Sequence, residues 1–121
     1  MYIEFPAPAE MLNLNDRLHW RKRNELEQAW QMAAFVAARN SGAKNFSRSV
    51  VTVIFKVASK RRRDPHNFVA TVKPIVDGLV KAGWWPDDNS DWVAVADPIF
   101  VVVGSASPQV GMVVVELEGI T

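Results

Sequence analysis

Cysteine is absent from this chain of 121 residues, which excludes disulfide bonds and any metal site built on thiolates. No segment approaches the run of ~20 apolar residues that a membrane-spanning helix needs, so we expect no membrane span. Residues 1–5 lack the basic start and the apolar run of a secretory signal. These three absences favour a cytoplasmic protein.

An excess of one charge is also lacking, because 14 basic residues nearly balance 13 acidic ones and leave a net charge of +1. Such a balance predicts no partner by itself. The charges are nevertheless clustered, which fits a surface with a local function or a solvated face. The clusters are Arg21-Lys22-Arg23, Lys60-Arg61-Arg62-Arg63 and the acids Asp87, Asp88 and Asp91.

The length and the 49% share of hydrophobic residues predict one domain, residues 1–121, with a substantial core. Alternating and β-branched patterns predict strands, and apolar residues at spacings of three and four predict helices. The predicted order is β-α-β-α-β-β, an α/β (α+β) fold with a mixed β-sheet flanked by helices. The strands fall at residues 2–5, 49–57, 99–103 and 112–117, the helices at 20–39 and 67–82, and an extra short strand can form at 92–96.

The starts of both helices allow alternatives. Either Asn24 or Asp16 can cap the first helix. Pro74 either begins the second helix or follows a loose turn at 67–72, because proline removes a backbone donor and restricts the residue before it.

The region after the second helix contains its predicted stop and a later loop. Gly83 is expected to end the helix in a left-handed conformation. Trp84 and Trp85 follow, and the sequence does not separate a core role from a dimer-interface or substrate-contact role. Gly, Ser and Pro in residues 104–111 predict a hairpin loop between the last two strands.

Residues suited to phosphate chemistry are concentrated in the segment 60–92. The four cations at 60–63 directly follow the strongest predicted strand and fit either phosphate groups or a solvated loop. Asp64 comes next, and a turn after the second helix can bring Asp88 back towards it. Two carboxylates beside a basic patch suit Mg²⁺ and the hydrolysis of a phosphodiester. From spacing alone, a simple turn is the more ordinary explanation of Asp87 and Asp88.

Three motifs in this segment resemble those of RusA-type Holliday-junction resolvases. They are residues 61–67 (RRRDPHN), 73–79 (KPIVDGL) and 81–88 (KAGWWPDD). The family pattern is a basic run with Asp-x-Asp-Asn, then a helix that carries a Lys and Asp-Gly/Ala-Leu, then Lys-Ala-Gly, an aromatic pair and Asp-Asp. The resemblance is specific because order, composition and spacing agree together.

This resemblance implies a homodimeric, bacterial or phage-encoded endonuclease that depends on Mg²⁺, with Mn²⁺ as an alternative. Such an enzyme resolves four-way DNA junctions by paired symmetric cuts and needs no nucleotide cofactor. A symmetric dimer suits a junction that is close to two-fold symmetric. One alternative is a junction- or DNA-binding protein with a weakened or inactive catalytic site. Another is a small interaction protein whose charge clusters are simply solvated.

Single residues also receive roles from the resemblance. Asp64 and Asp88 are the implied catalytic carboxylates, and Lys73 is the implied catalytic lysine, a cation that can stabilise developing phosphate charge. The implied metal ligands are Asp64, His66, Asp88 and Asp87. The implied DNA contacts are Lys60, Arg61, Arg62, Arg63, Asn67, Arg21, Lys22 and Arg23.

His66 departs from the family pattern, because it stands where a second metal-binding Asp is expected. Imidazole suits Mn²⁺ and other transition metals better than Mg²⁺. Three outcomes are open: His66 binds the metal, Asp77 or Asp87 compensates, or the site is weakened. The segment 67–73 is also longer than in the family pattern, which leaves the orientation of Lys73 open.

Overall fold

The computed structural model describes residues 1–58, 63–103 and 109–117. These ranges form a mixed five-stranded sheet and two α-helices, which confirms the predicted fold class. The order also agrees, with the extra short strand included. The elements are β1 (Tyr2–Pro6), α1 (Trp20–Asn40), β2 (Ser49–Val57), α2 (Val69–Lys81), β3 (Val93–Val95), β4 (Ile99–Val102) and β5 (Gln109–Glu116).

The longest strand, β2, organises the sheet because both of its edges are paired. On one edge it pairs antiparallel with β5, which in turn pairs antiparallel with β1. On its other edge β3 and β4 lie end to end, both parallel to it. β3 pairs with Ser49–Val51 and β4 with Ile54–Val57.

The predicted hairpin between the last two strands is wrong. β4 and β5 lie on opposite sides of β2, since Lys56 pairs with Val101 on one edge and with Gln109 on the other. Turn-forming residues in a connection predict a change of direction but do not specify which strands pair. Residues 104–108 of the predicted loop lie outside the described ranges.

The core lies between the two helices and one face of the sheet. Alternate residues of β2 are buried along its whole length, as the alternation of its sequence predicts. The same apolar cluster contains residues of both helices, namely Trp30, Ala34 and Ala38 from α1 and Val72, Ile75, Val76 and Leu79 from α2. The opposite face of the sheet is open and exposes Tyr2, Ile99, Val101 and Val115.

Gly78 lies where the two helices approach each other most tightly. A methyl group added there would overlap the backbone carbonyl oxygen of Gln31. It would also lie 3.0 Å from the backbone nitrogen of Phe35. The close approach of α2 to α1 therefore depends on the absence of a side chain at this position.

Pro74 is inside α2, so both alternatives for the start of this helix are wrong. A short 3-10 helix at Pro65–Phe68 leads directly into α2 at Val69. An internal proline typically costs about 3 kcal/mol, because it cannot donate to the carbonyl one turn earlier. Full burial of a large apolar side chain contributes about 1.5–3 kcal/mol, and α2 buries several such side chains. Burial of this face therefore outweighs the local cost.

Gly83 ends α2 as predicted, with a positive φ of 90°. The N–H of Gly83 donates to the Val80 carbonyl at 2.9 Å, and that of Trp84 donates to the Leu79 carbonyl at 3.1 Å. This paired arrangement is the Schellman motif. Trp84 and Trp85 are 0% and 2% exposed, which places both in the core.

The cap of α1 is His19, so the expectation of Asn24 or Asp16 is wrong. The His19 Nδ1 accepts the backbone N–H of Arg21 at 3.2 Å. The Asp16 carboxylate instead accepts the N–H of Asn13 within the preceding loop, and Asn24 lies inside the helix.

Among the described residues, neither helix is both long enough and apolar enough to span a membrane.

Candidate functional site

An open, polar cleft of about 650 Å³ lies where the loop before α1 meets the segment that leads into α2. Three residues of the first motif line it, a cation, a carboxylate and an amide: Arg63, Asp64 and Asn67. Their neighbours in the cleft are Glu10, Met11, Asn13, Asp16 and Phe68. The cleft therefore brings two charged motif residues together with polar groups that lie about 50 residues away along the chain.

Three hydrogen bonds to backbone groups hold the loop before α1 against the start of α2. The buried Thr71 hydroxyl accepts the N–H of Leu12 and donates to the carbonyl of the same residue, both at 2.8 Å. The N–H of Leu14 donates to the Asn67 carbonyl at 2.8 Å. Because an unpaired N–H or C=O group in a buried position would cost free energy, this contact holds one wall of the cleft against the other.

Asp64 is held at the cleft by its role as the cap of the 3-10 helix. Its carboxylate accepts the backbone N–H of His66 at 3.1 Å, and its carbonyl accepts that of Asn67 at 3.1 Å. The side chain remains exposed. A carboxylate with this placement is available to a cation or to a solvent molecule in the cleft.

His66 contacts an acid that sequence reasoning missed. Its Nδ1 lies 3.3 Å from Oδ1 of Asp97, which is in the connection between β3 and β4. Both side chains are mostly exposed, and a carboxylate beside one ring nitrogen leaves the other nitrogen available to a ligand. Because the two residues are 31 positions apart, only the end-to-end placement of β3 and β4 along β2 could have indicated the contact.

The 86–91 turn uses Asp87 for its own hydrogen bonds. One Asp87 oxygen accepts the N–H of Asp88 at 2.7 Å, and the other accepts the side-chain amide of Asn89 at 3.3 Å. The turn explanation therefore holds for Asp87. Asp88 is exposed and has no such role within the turn.

Asp88 lies beside Asp77 of α2 instead of lining the Asp64 cleft. Burial raises the pKa of the half-buried Asp77 carboxyl, and the nearby Asp88 raises it further through its charge and a side-chain hydrogen bond. Lys73 and Lys81 oppose this rise in pKa with their positive charge. Lys73 is exposed one turn before Asp77, so the two side chains share one side of α2.

The motif residues thus form two groups, one at the cleft and one along α2. Within the described ranges, no group of three or more His, Asp or Glu side chains is placed to hold one metal ion. A metal at Asp64 or Asp88 would therefore take most of its ligands from water and phosphate, which is a common arrangement for Mg²⁺. The predicted contacts Lys60, Arg61 and Arg62 lie outside the described residues.

The second basic cluster is connected to the cleft. Lys22 Nζ lies 3.3 Å from the carboxylate of Glu10, and Arg23 donates to the backbone carbonyl of Asp16 at 3.4 Å. Since Glu10 and Asp16 both line the cleft, the first turn of α1 lies at its rim.

The raised pKa of Asp77 predicts a pH-dependent effect of Asp77→Asn in metal-free buffer. The folded state binds the Asp77 proton more tightly than the unfolded state does. In the unfolded state the pKa of this carboxyl is about 3.9. The resulting stability is complete below that value and is lost as the pH rises through the folded-state pKa. Asp77→Asn, which stays neutral, should therefore exceed wild type in free energy of unfolding at neutral pH, and the difference should shrink in acid.

Urea denaturation from about pH 3 to pH 7 measures this difference. Asp91→Asn removes an exposed acid from the turn that contains Asp88 and controls for the loss of one charge. A difference between Asp77→Asn and wild type that does not change with pH would contradict the raised pKa of Asp77.

No model of a known protein family matches the chain, and no curated protein matches it either.

Proposed function

We propose that this chain is a metal-dependent, structure-specific DNA endonuclease that resolves four-way junctions in the manner of RusA-type resolvases. The observation that carries the proposal is the shared cleft of Arg63, Asp64 and Asn67. A guanidinium can bind a phosphate, a carboxylate can hold a cation near it, and an amide can bond to the backbone of the nucleic acid. The open shape of the cleft suits a polymer that passes through it.

The proposed metal ligands are acids whose side chains are accessible. Asp64 and Asp88 are both exposed, and carboxylates are preferred ligands of Mg²⁺. His66 and Asp87 remain further candidates, and His66 would favour Mn²⁺. A bound divalent cation would supply Lewis-acid chemistry and a more acidic water at the scissile phosphate.

The protein's own cations are proposed to bind and orient the DNA. Arg63 lies in the cleft, and Lys60, Arg61 and Arg62 precede it in the sequence. Lys73 supplies a positive charge on α2 that can stabilise developing charge on the phosphate. Contacts of this kind read backbone position and junction shape more than base sequence. Two copies in a homodimer would present two such sites to a junction that is close to two-fold symmetric.

Nicking of a synthetic four-way junction tests the proposal directly. We expect paired cuts in strands of like polarity when Mg²⁺ or Mn²⁺ is present, and no cuts in EDTA. A linear duplex of the same sequence is the matched control substrate, and it should be cut more slowly. If neither metal supports any cutting of the junction by wild-type protein, the enzymatic proposal fails.

A second candidate is a junction-binding protein with an inactive catalytic site. The favouring observation is that the described residues hold no three-ligand metal group, while His66 is engaged with Asp97. This candidate predicts salt-sensitive junction binding without cleavage, and activity in His66→Asp. Cleavage by wild-type protein would eliminate it.

A further inference from the structure

Trp20 is conspicuously exposed for a tryptophan. Its surface is 67% accessible, although this residue type is normally well covered. All five tryptophans lie in the described ranges; Trp30, Trp84 and Trp85 are buried, and Trp92 packs against the core. The exposure of Trp20 is therefore a local exception that the apolar core does not explain.

The neighbours of Trp20 hold the indole in a defined place. The His19 ring lies 5.6 Å from it, with an angle of 31° between the ring planes. The guanidinium of Arg21 lies over the indole at 5.3 Å, within the range of a cation–π contact. His19 is itself fixed, because its Nδ1 caps α1 by accepting the N–H of Arg21. The indole is thus presented to solvent by two flanking groups.

Positive charge is concentrated in the chain directly after this exposed ring. Arg21, Lys22 and Arg23 are consecutive, and the first turn of α1 contains no acid. Lys22 and Arg23 reach Glu10 and Asp16, which are lining residues of the Asp64 cleft. Two of the three cations that follow Trp20 in the chain therefore contact residues that line the cleft, at the end of α1 that carries the exposed ring.

We propose that Trp20, flanked by His19 and Arg21, is a stacking site for an unpaired nucleobase of the DNA strand in the Asp64 cleft. An exposed aromatic ring combined with cations is the recurring means by which proteins hold single-stranded nucleic acid. Every base presents a π face, so the contact tolerates any sequence. Bases inside a continuous duplex are already stacked, which directs the site to unpaired bases such as those exposed at a branch point.

This inference rests on the proposed function, because it assigns the cleft to nucleic acid and adds a preference for unpaired bases. It does not depend on a metal, since stacking and phosphate contacts need none. Binding can therefore be measured in EDTA, where no strand is cut.

Titration of the protein with short oligothymidylate, followed by tryptophan fluorescence, tests the proposal. We expect quenching by oligothymidylate and weak quenching by an abasic oligomer of equal length. Trp20→Ala should remove the quenching and weaken binding by at least about fivefold, the lower limit for one stacked base. Trp20→Tyr should restore most of the affinity, because it retains an aromatic face.

Met32→Ala is the matched control for Trp20→Ala. Met32 is 60% exposed on the same helix, so its loss removes an apolar side chain without touching the rim of the cleft. It should bind oligothymidylate as wild type does. Circular dichroism of all three variants checks that each is folded.

Three results would overturn the inference. They are unchanged oligothymidylate binding in Trp20→Ala, an equal loss of affinity for the abasic oligomer, and no binding of any nucleic acid by wild type. In the last case the exposed ring would be assigned to a contact with another protein instead. The two proposals fail separately. If wild type cuts junctions and Trp20→Ala binds oligothymidylate normally, only the stacking site is contradicted. If wild type never cuts but Trp20→Ala loses oligothymidylate binding, only the nuclease is contradicted.

Discussion

Replacement of Asp64 by Asn is expected to lower the rate of junction nicking by at least about 10²-fold while junction binding persists. Asn keeps the size of the side chain and can still cap the 3-10 helix through its amide oxygen. It removes the negative charge that a divalent cation requires. Affinity for the junction should stay equal or rise, because the change also removes repulsion between a carboxylate and the DNA. Single-turnover nicking with Mg²⁺, together with binding in EDTA, measures both quantities.

Asp88→Asn should behave in the same way if the group along α2 takes part in the reaction. Asp91→Asn is the matched control, since Asp91 is an exposed acid of the same turn whose side chain has no proposed role. If Asp64→Asn nicks the junction at the wild-type rate, the cleft is not part of the catalytic site. If only Asp88→Asn nicks at the wild-type rate, residues 86–91 form a structural turn without a catalytic role.

Gly78→Ala is expected to destabilise the fold by about 2 kcal/mol or more. In an isolated helix the same change would be favourable by about 1 kcal/mol, because alanine is the better helix former. The new methyl group, however, would overlap the Gln31 carbonyl oxygen and lie 3.0 Å from the Phe35 nitrogen. Both are backbone atoms of α1, so relief requires the helices to separate and the core to loosen. Urea denaturation gives the change in the free energy of unfolding.

Gly42→Ala adds the same methyl group where nothing lies within 4 Å of it. Its φ of 75° makes any side chain unfavourable there, at a cost of about 1–2 kcal/mol. The contrast between the two variants separates helix contact from backbone conformation. If Gly78→Ala is instead more stable than wild type, α1 and α2 are not in the close contact described.

The elements that the sequence predicted well are those whose local pattern and tertiary role coincide. β2 is rich in β-branched residues and alternates in part, and it is buried on one face over the predicted range Ser49–Val57. α1 shows the same agreement at Trp20–Asn40. The errors arose where a distant contact decided the outcome. Burial of α2 against α1 overrides Pro74, and β2 separates β4 from β5 although their sequences suggest a hairpin.

The same distinction applies to the candidate site. Arg63, Asp64 and Asn67 are close in the chain, so a short motif was sufficient to predict that they lie together. The opposite wall of the cleft depends on the contact between Leu12 and Thr71, which are 59 residues apart. The acid beside His66 was not predicted at all, because its position follows from strand pairing and not from any pattern near His66.

Because β3 and β4 lie end to end, the residue beside His66 can change without a change in the strand pairing that supports the core. Each strand forms its own ladder with a different part of β2, and the exposed Asp97 between them belongs to neither ladder. Replacement of Asp97 alone can alter the environment of His66 while both registers are preserved. Natural variation can therefore tune the chemistry around His66 at little risk to the packing that keeps the chain folded.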